Sequence, residues 1–336
     1  MSQNILITGA SGYLGGTLLS RWNEARLDGY DKLFALYGAV PLNFSLDDQD
    51  AITEAITKHR INIVCFMVDV VSSDAQLRFI KALATLKQET HQEVHLLHTS
   101  GAKLFSARAG APTDREISDA DPNLYDIQKQ QTPENALTQK AVNTNNTIVE
   151  QDEASGVRTY IFVPCLVYGK GEGFGNQISI QTVAAVKAAK ATGQVYKISK
   201  GRPVWPVCHV LDNNTLYVSL LRAILNNENP DHGRHGYYLA ASGSIVVDDL
   251  YVAMAAALAK RGIVKTDTVE YADDAALEKI GRALGCDPAH VEVHLGGLCT
   301  LTAARGARLG WKPQFSKEHA FEAADEEVDW ILRCLE

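Results

Sequence analysis

Residues Asn4-Ile5-Leu6-Ile7-Thr8-Gly9-Ala10-Ser11-Gly12-Tyr13-Leu14-Gly15-Gly16 take the chain from a short apolar run into closely spaced glycines. The apolar pattern resumes at Thr17-Leu18-Leu19-Ser20-Arg21-Trp22, so the stretch reads as a strand, a tight turn and the start of a helix. The first turn of a helix carries N–H groups without intrahelical acceptors and a partial positive charge. Residues lacking a Cβ let that backbone come close to a pyrophosphate. Gly9, Gly12 and Gly15, with Ser11, Tyr13 and Leu14 between them, are therefore candidate dinucleotide-binding residues. Surface turns also collect glycine, and spacing alone is a weak signal; the position directly behind an apolar run is what favours a βαβ nucleotide unit.

Working outward, residues 32–37 and 61–68 read as further strands, with a helical pattern over 46–59 between them. A helix over 74–89 leads to a strand over 94–98, and this alternation is the mark of a parallel sheet covered by helices. The expected fold class is α/β, a doubly wound parallel sheet of Rossmann type. Residues 101–133 read as a long loop, and a helix over 145–154 delivers the chain to a strand ending at Pro164. The glycine-rich run 169–175 marks a crossing into a second unit. The expectation is a dinucleotide-binding domain over 1–168 and a smaller, mainly substrate-binding domain over 169–336. The two interleave, because a strand near 236–241 returns to the first.

With 336 residues, 46% of them hydrophobic, the chain can bury a large core. It contains no run of eighteen or more apolar residues, and Met1-Ser2-Gln3-Asn4 passes straight into the first strand without an export segment, which points to the cytoplasm and away from membranes. A net charge of −8 argues against a nucleic-acid surface. The six cysteines are dispersed with no C-x-x-C pair, so neither a disulfide framework nor a zinc site is suggested.

The G-x-x-G-x-x-G spacing, with Thr8 ahead of it and Tyr13-Leu14 inside it, resembles the extended short-chain dehydrogenase/reductase family. Gly156-Val157-Arg158-Thr159-Tyr160-Ile161-Phe162-Val163-Pro164 followed by Leu166-Val167-Tyr168-Gly169 is similar to that family's strand, proline and "VYG" stretch. His209-Val210-Leu211-Asp212 resembles its "HVDD" segment, and Leu309-Gly310-Trp311-Lys312-Pro313 its "LGWxP" signature. The likeness spans nearly the whole chain and is epimerase/dehydratase-like, resembling an atypical fungal subgroup. It implies NAD or NADP as cofactor, a small-molecule substrate, and pairing of two copies as a homodimer.

In open parallel sheets, ligands bind beyond the carboxyl ends of the strands. Tyr37 and Gly38 stand where an acid would hold the ribose 2′-hydroxyl or an arginine a 2′-phosphate; neither is present, and NAD against NADP stays open. The resemblance places Asn43 and Phe44 beside the adenine, with a turn residue and a core phenylalanine as the plain structural alternative. Met67, Thr99, Pro164 and Leu166, which follow or end strands, complete the implied cofactor set.

Ser100 ends the strand that carries the family's catalytic hydroxyl, one position earlier than its serine, where Gly101 stands. The family's Tyr-x-x-x-Lys motif would fall around residues 138–146, a stretch holding Asn143, Asn145 and Asn146 but no tyrosine. One such motif does occur, Tyr125-Asp126-Ile127-Gln128-Lys129, about a dozen residues early. Tyr125 and Lys129 are thus acid/base candidates, the lysine lowering the phenol's pKa; a packed tyrosine and a solvated lysine are the structural alternative. Tyr168, Phe174, Asn176, Gln177 and Arg202 are candidate substrate contacts, Arg202 through a grip on an acidic group. His95 and His98, three apart on one strand, face opposite ways and so exclude a joint metal site; no metal is expected. Three functions remain open: an oxidoreductase acting on a carbonyl or alcohol, a cofactor-binding sensor like the NmrA-like regulators, and a non-redox isomerase, dehydratase or cyclase.

Overall fold

In chain order the strands of the computed structural model are β1 (Asn4–Ile7), β2 (Ile61–Phe66), β3 (His95–Thr99), β4 (Ile117–Ser118), β5 (Arg158–Pro164) and β6 (Leu166–Tyr168). They are followed by β7 (Val195–Lys197), β8 (Val204–His209), β9 (Tyr237–Ala240), β10 (Gly243–Val246), β11 (Val269–Tyr271) and β12 (Leu301–Thr302). The structure describes residues 3–22 and 39–335; the strand expected over 32–37, with Tyr37, lies outside them. Among the described strands, β1-β2-β3-β5-β9 form one sheet in that order, every pair parallel.

Every residue of β2 and β3 is buried, as a sheet covered on both faces requires. Alternation along the strands sorts their side chains into two layers. Val64 and Phe66 of β2 pack with Ile52 and Ile56 of the helix Gln49–Lys58, Phe79 and Leu83 of the helix Asp74–Thr90, and Ile148 and Val149 of the helix before β5. Ile63 and Cys65 face the other way, onto Leu18 of the helix Tyr13–Ser20 and Leu216, Tyr217 and Leu220 of the helix Val210–Leu225.

The helix before β5 spans Ala136–Ser155, nine residues earlier than the periodicity suggests (145 against 136). It opens where the Asn135 side chain accepts the Thr138 N–H at 2.8 Å and closes at Gly156, whose φ is +69°. Its buried stripe includes Thr144, Asn145 and Asn146, polar residues that hide the helical period. The loop expected over 101–133 also carries structure: a 3₁₀ turn at Ala102–Phe105, β4, and the short helix Leu124–Lys129.

A second sheet, β10-β8-β6, stands beside the first. The chain leaves β9 in the central sheet and enters β10 in the second one after Ala241 and Ser242, so both sheets take strands from the C-terminal half. Two of the motifs meet here. Buried Asp212 accepts the Gln314 and Phe315 N–H groups at 2.7 and 2.9 Å, while Trp311 Nε1 donates to Thr215 Oγ1 at 2.9 Å. Asp119, just after β4, accepts the N–H groups of Leu239, Ala304 and Arg305, joining the long loop to β9 and the C-terminal region.

Candidate active site

The parallel strands all deliver their carboxyl ends to one edge, and the Gly9–Gly15 loop lies on it. Gly9 has a φ of +69°, and a Cβ there would lie 3.0 Å from the Met67 carbonyl oxygen. A Cβ at Gly15 would overlap the Gly9 carbonyl oxygen and sit 3.3 Å from Met67 Sδ. The turn is closed by Gly12 N–H donating to Gly9 O at 2.8 Å, and Thr8 Oγ1 accepts the Met67 N–H at 2.9 Å, fixing it to the end of β2. Gly12 caps the following helix with no side-chain acceptor. The first-turn N–H groups of Tyr13, Leu14 and Gly15 therefore have no intrahelical partner, and the Cβ-free backbone around them fits a dinucleotide pyrophosphate.

The crossing segment 169–177 folds back onto this loop as a strap. Asn176 N–H donates to Ser11 O at 2.8 Å, and Tyr13 Oη donates to Gly169 O at 2.6 Å. Gly173 packs against Gly16 so closely that a Cβ on Gly173 would lie 2.6 Å from Gly16 Cα. The Glu172 carboxylate receives both the Nε and Nη2 donors of Arg21, a fork-to-fork ion pair. Asn176 and Gln177 hold the strap's own shape through Ile178 O and Gly173 O, and Phe174 is exposed on it. Tyr168 is buried, its hydroxyl 3.0 Å from His319 Nδ1.

At the end of β3, the Thr99 hydroxyl is bonded to that of Tyr217, which stacks on Phe162 with ring centroids 3.4 Å apart. Ser100 donates its N–H to Phe162 O at 2.8 Å, while its buried Oγ has no partner. Pro164 ends β5, and Leu166 opens β6 against a small apolar pocket shared with Trp205, Leu295 and Gly296. Met67 and Thr99 are thus gathered with the glycine loop and Ser100 on one edge. Asn43 is exposed, and Phe44 packs on Phe79 at 6.3 Å as a core-edge side chain. A cavity of about 330 Å³ is bordered by Arg108, Glu134, Ser199, Lys200, Arg202 and Glu292. Burial works against the Glu292 carboxylate, yet hydrogen bonds from Ser199 and Arg108 hold it below the usual carboxylate range.

The match to known proteins follows this geometry. The model of the NAD dependent epimerase/dehydratase family fits residues 5–235. The chain belongs to that family. An oxidase of an Acremonium species, ucsJ, is 25% identical over 348 residues, covering 93% of this chain and 93% of that protein. Among solved structures, UDP-glucose 4-epimerase of Thermotoga maritima superposes with a TM-score of 0.64 at 14% identity, covering 99% of this chain and all of the other. The dTDP-glucose 4,6-dehydratase of Bacillus anthracis, solved with NAD, gives 0.62 at 13% identity over 99% of this chain and 97% of the other. Those two likenesses concern the fold. The family's cofactor is NAD(P).

Within this family member, the Tyr125-x-x-x-Lys129 motif lies on the short helix Leu124–Lys129, packed against the end of Ala136–Ser155. Tyr125 Oη donates to Glu150 Oε1 at 2.8 Å, near the end of Ala136–Ser155, and the Arg234 guanidinium lies 4.6 Å over the Tyr125 ring. Arg234 lies three residues before β9 and Glu150 eight residues before β5, on the side of their amino ends. Lys129 is bonded to Glu150 at 2.7 Å and to Tyr125 Oη at 3.2 Å. Burial and the Glu150 hydrogen bond push the phenol up, the opposite of an activated tyrosinate. The pairing of Tyr125 with Lys129 expected from the sequence is present, with Glu150 bonded to both.

His95 and His98 are both buried, and burial lowers each pKa to about 3. His95 bonds Tyr160 Oη at 3.1 Å, whereas both ring nitrogens of His98 lack partners. Among the described residues no group of three or more His, Cys, Asp or Glu side chains gathers to hold a metal, and no helix is long and apolar enough to cross a membrane.

Proposed function

We propose that this protein is an NAD(P)-dependent oxidoreductase acting on a carbonyl or alcohol of a small organic molecule. What carries the reading is the Cβ-free cradle at Gly9, Gly12 and Gly15 on the same sheet edge as the unpartnered Ser100 hydroxyl. Gly9 to Gly15 would hold the pyrophosphate, and Met67, Thr99, Pro164 and Leu166 would flank the rest of the dinucleotide. When bound, a nicotinamide supplies a hydride acceptor or donor. Ser100 can give its proton as a hydrogen bond to a substrate oxygen, polarising it where charge develops. Arg202, exposed and bonded to Asp249 at 3.2 Å, borders the cavity through which a small acidic substrate would enter.

The test begins with calorimetric titration of NADH and NADPH, followed by a panel of ketones and aldehydes with 4-deuterated cofactor. Deuterium in the product supports net hydride transfer; binding without transfer favours the sensor reading, and product without net cofactor change the non-redox one. Ser100→Ala should lower turnover about 10- to 100-fold with cofactor affinity kept. Tyr125→Phe should leave turnover within about twofold of the parent. A large loss in Tyr125→Phe with Ser100→Ala silent would reverse the assignment.

A further inference from the structure

The strap 169–177 is gripped from two sides. Its tip meets the glycine loop and the helix behind it. Asn176 N–H donates to Ser11 O, Glu172 N–H donates to Thr17 Oγ1 at 3.2 Å, and the Glu172 carboxylate takes the Arg21 guanidinium. Its base meets the C-terminal helix Ala324–Cys334. Gly169 N–H donates to Glu327 Oε2 at 2.8 Å, Trp330 Nε1 donates to Gln177 O at 3.3 Å, and Lys170 Nζ stands 3.7 Å over the Trp330 ring. Glu327 and Trp330 are three apart and share one helical face. The other Glu327 oxygen accepts Thr182 Oγ1 at 2.6 Å, tying that face to the helix Gln181–Thr192. Gly171 N–H, donating to Gln177 O at 2.9 Å, closes the strap at its neck.

These contacts are almost all polar. Four of the nine strap residues are glycine, and its one apolar side chain, Phe174, is 62% exposed. The glycines bring backbone against backbone at Gly16 and Ser11 without burying an apolar side chain. A segment held by hydrogen bonds, a half-buried ion pair and a cation–π contact lies at the low-stability end of a fold, because water replaces what it loses on opening. Its flanks differ. Tyr168 before it is buried and bonded to His319, and Ser179 beyond it is buried. The joint on the first side is Gly169, at a φ of +95°, where a Cβ would overlap the His209 ring. The strap is therefore built to leave as a unit, and it is seated on Ser11, the middle of the Gly9–Gly15 cradle.

We propose that the strap is the gate of the coenzyme site. Glu327 and Trp330, whose bonds go to the strap and to Thr182, are positioning residues that hold it shut. Docked, Gly175 and Asn176 close the approach to the first-turn N–H groups of Tyr13 and Leu14; lifted, they open it. Coenzyme then enters and leaves only through the open form, so both rates scale with the fraction of time the strap is up. A strap that merely formed part of the binding surface would behave otherwise: loosening it would speed departure and leave arrival alone. The gate rests on the reading of Gly9 to Gly15 as a dinucleotide cradle; the clamp by the C-terminal helix does not.

Hydrogen exchange of the whole protein, read on the peptide covering 169–177, tests the clamp with no ligand present. Lys170→Met removes the cation and Trp330→Phe the indole N–H. Each should speed strap exchange about three- to tenfold, with β2 and β3 keeping the parent's rates. Glu172→Gln, which unlatches the tip, should do the same. Stopped-flow binding and displacement of NADH, or of NADPH, should then show association and dissociation both faster by about threefold or more in all three variants. Rates equal to the parent's, or faster dissociation with association unchanged or slower, overturn the gate. Strap exchange equal to the parent's in both Lys170→Met and Trp330→Phe overturns the clamp. Failure of both NADH and NADPH to bind the parent overturns the oxidoreductase reading and the gate with it, while the exchange result still decides the clamp.

Discussion

His98 shows what a single residue does to the pH response of this protein. Its ring is buried with a pKa of about 3, burial outweighing the attraction of Asp69, whereas in the unfolded chain it returns to about 6.5. Between those values the unfolded state binds the extra proton, so stability is complete above about pH 6.5 and falls as the pH drops toward 3. His95 adds a second group of the same sign. Each contributes a slope of about 1.4 kcal/mol per pH unit. His98→Leu should therefore flatten the loss of urea stability between pH 6.5 and 4.5 by about one proton's worth, and curves that stay parallel to the parent would refute this. Neither the depressed pKa nor the missing partners could be seen in the sequence, which places a histidine on a strand but does not say what surrounds it. The same limit explains Tyr125: the motif spacing puts tyrosine and lysine on one helical face, and only the tertiary path decides which end of the sheet that face meets.

Elements were legible where period and punctuation agree. The run Ile61–Phe66 is apolar throughout and is a buried strand, and Asn4–Ile7 followed by glycines is the strand and helix start it resembled. The start of Ala136–Ser155 was not legible, because Gln139, Lys140, Asn143, Asn145 and Asn146 give no apolar stripe. The strap was read as a glycine-rich crossing, but its docking was hidden. Its glycines matter for close approach: a Cβ on Gly175 would overlap the Ser11 carbonyl oxygen. Gly175→Ala should push the strap off the phosphate loop, weakening NADH binding about tenfold and speeding trypsin cleavage after Lys170, with thermal stability little changed. Unaltered binding together with an unaltered digest would separate the strap from cofactor binding.

At the scale of the molecule, the sequence motifs that resemble the family turn out to hold one another. His209-Val210-Leu211-Asp212 and Leu309-Gly310-Trp311-Lys312-Pro313 meet through Asp212, Thr215 and Trp311, one tertiary joint built from two distant stretches. Asp119 has no such motif, yet it gathers N–H groups from β9, Ala304 and Arg305 at 2.7 to 2.9 Å. Asp119→Asn replaces a carboxylate accepting three bonds with an amide that brings two unwanted donors. The expected cost is on the order of 2 to 4 kcal/mol in urea unfolding, with Asp119→Glu less severe because the charge survives. A loss below about 0.5 kcal/mol would mean that these joints carry little of the stability.

The strap and β9 also set a schedule for synthesis. A ribosome that has released only the first 165 residues has made the glycine loop but neither the residues that brace it, 169–177, nor the strand 237–240 that borders β5. The nascent chain therefore gains a finished coenzyme cradle late in translation, and until then it presents the β5 edge of an incomplete sheet to the chaperones that meet it.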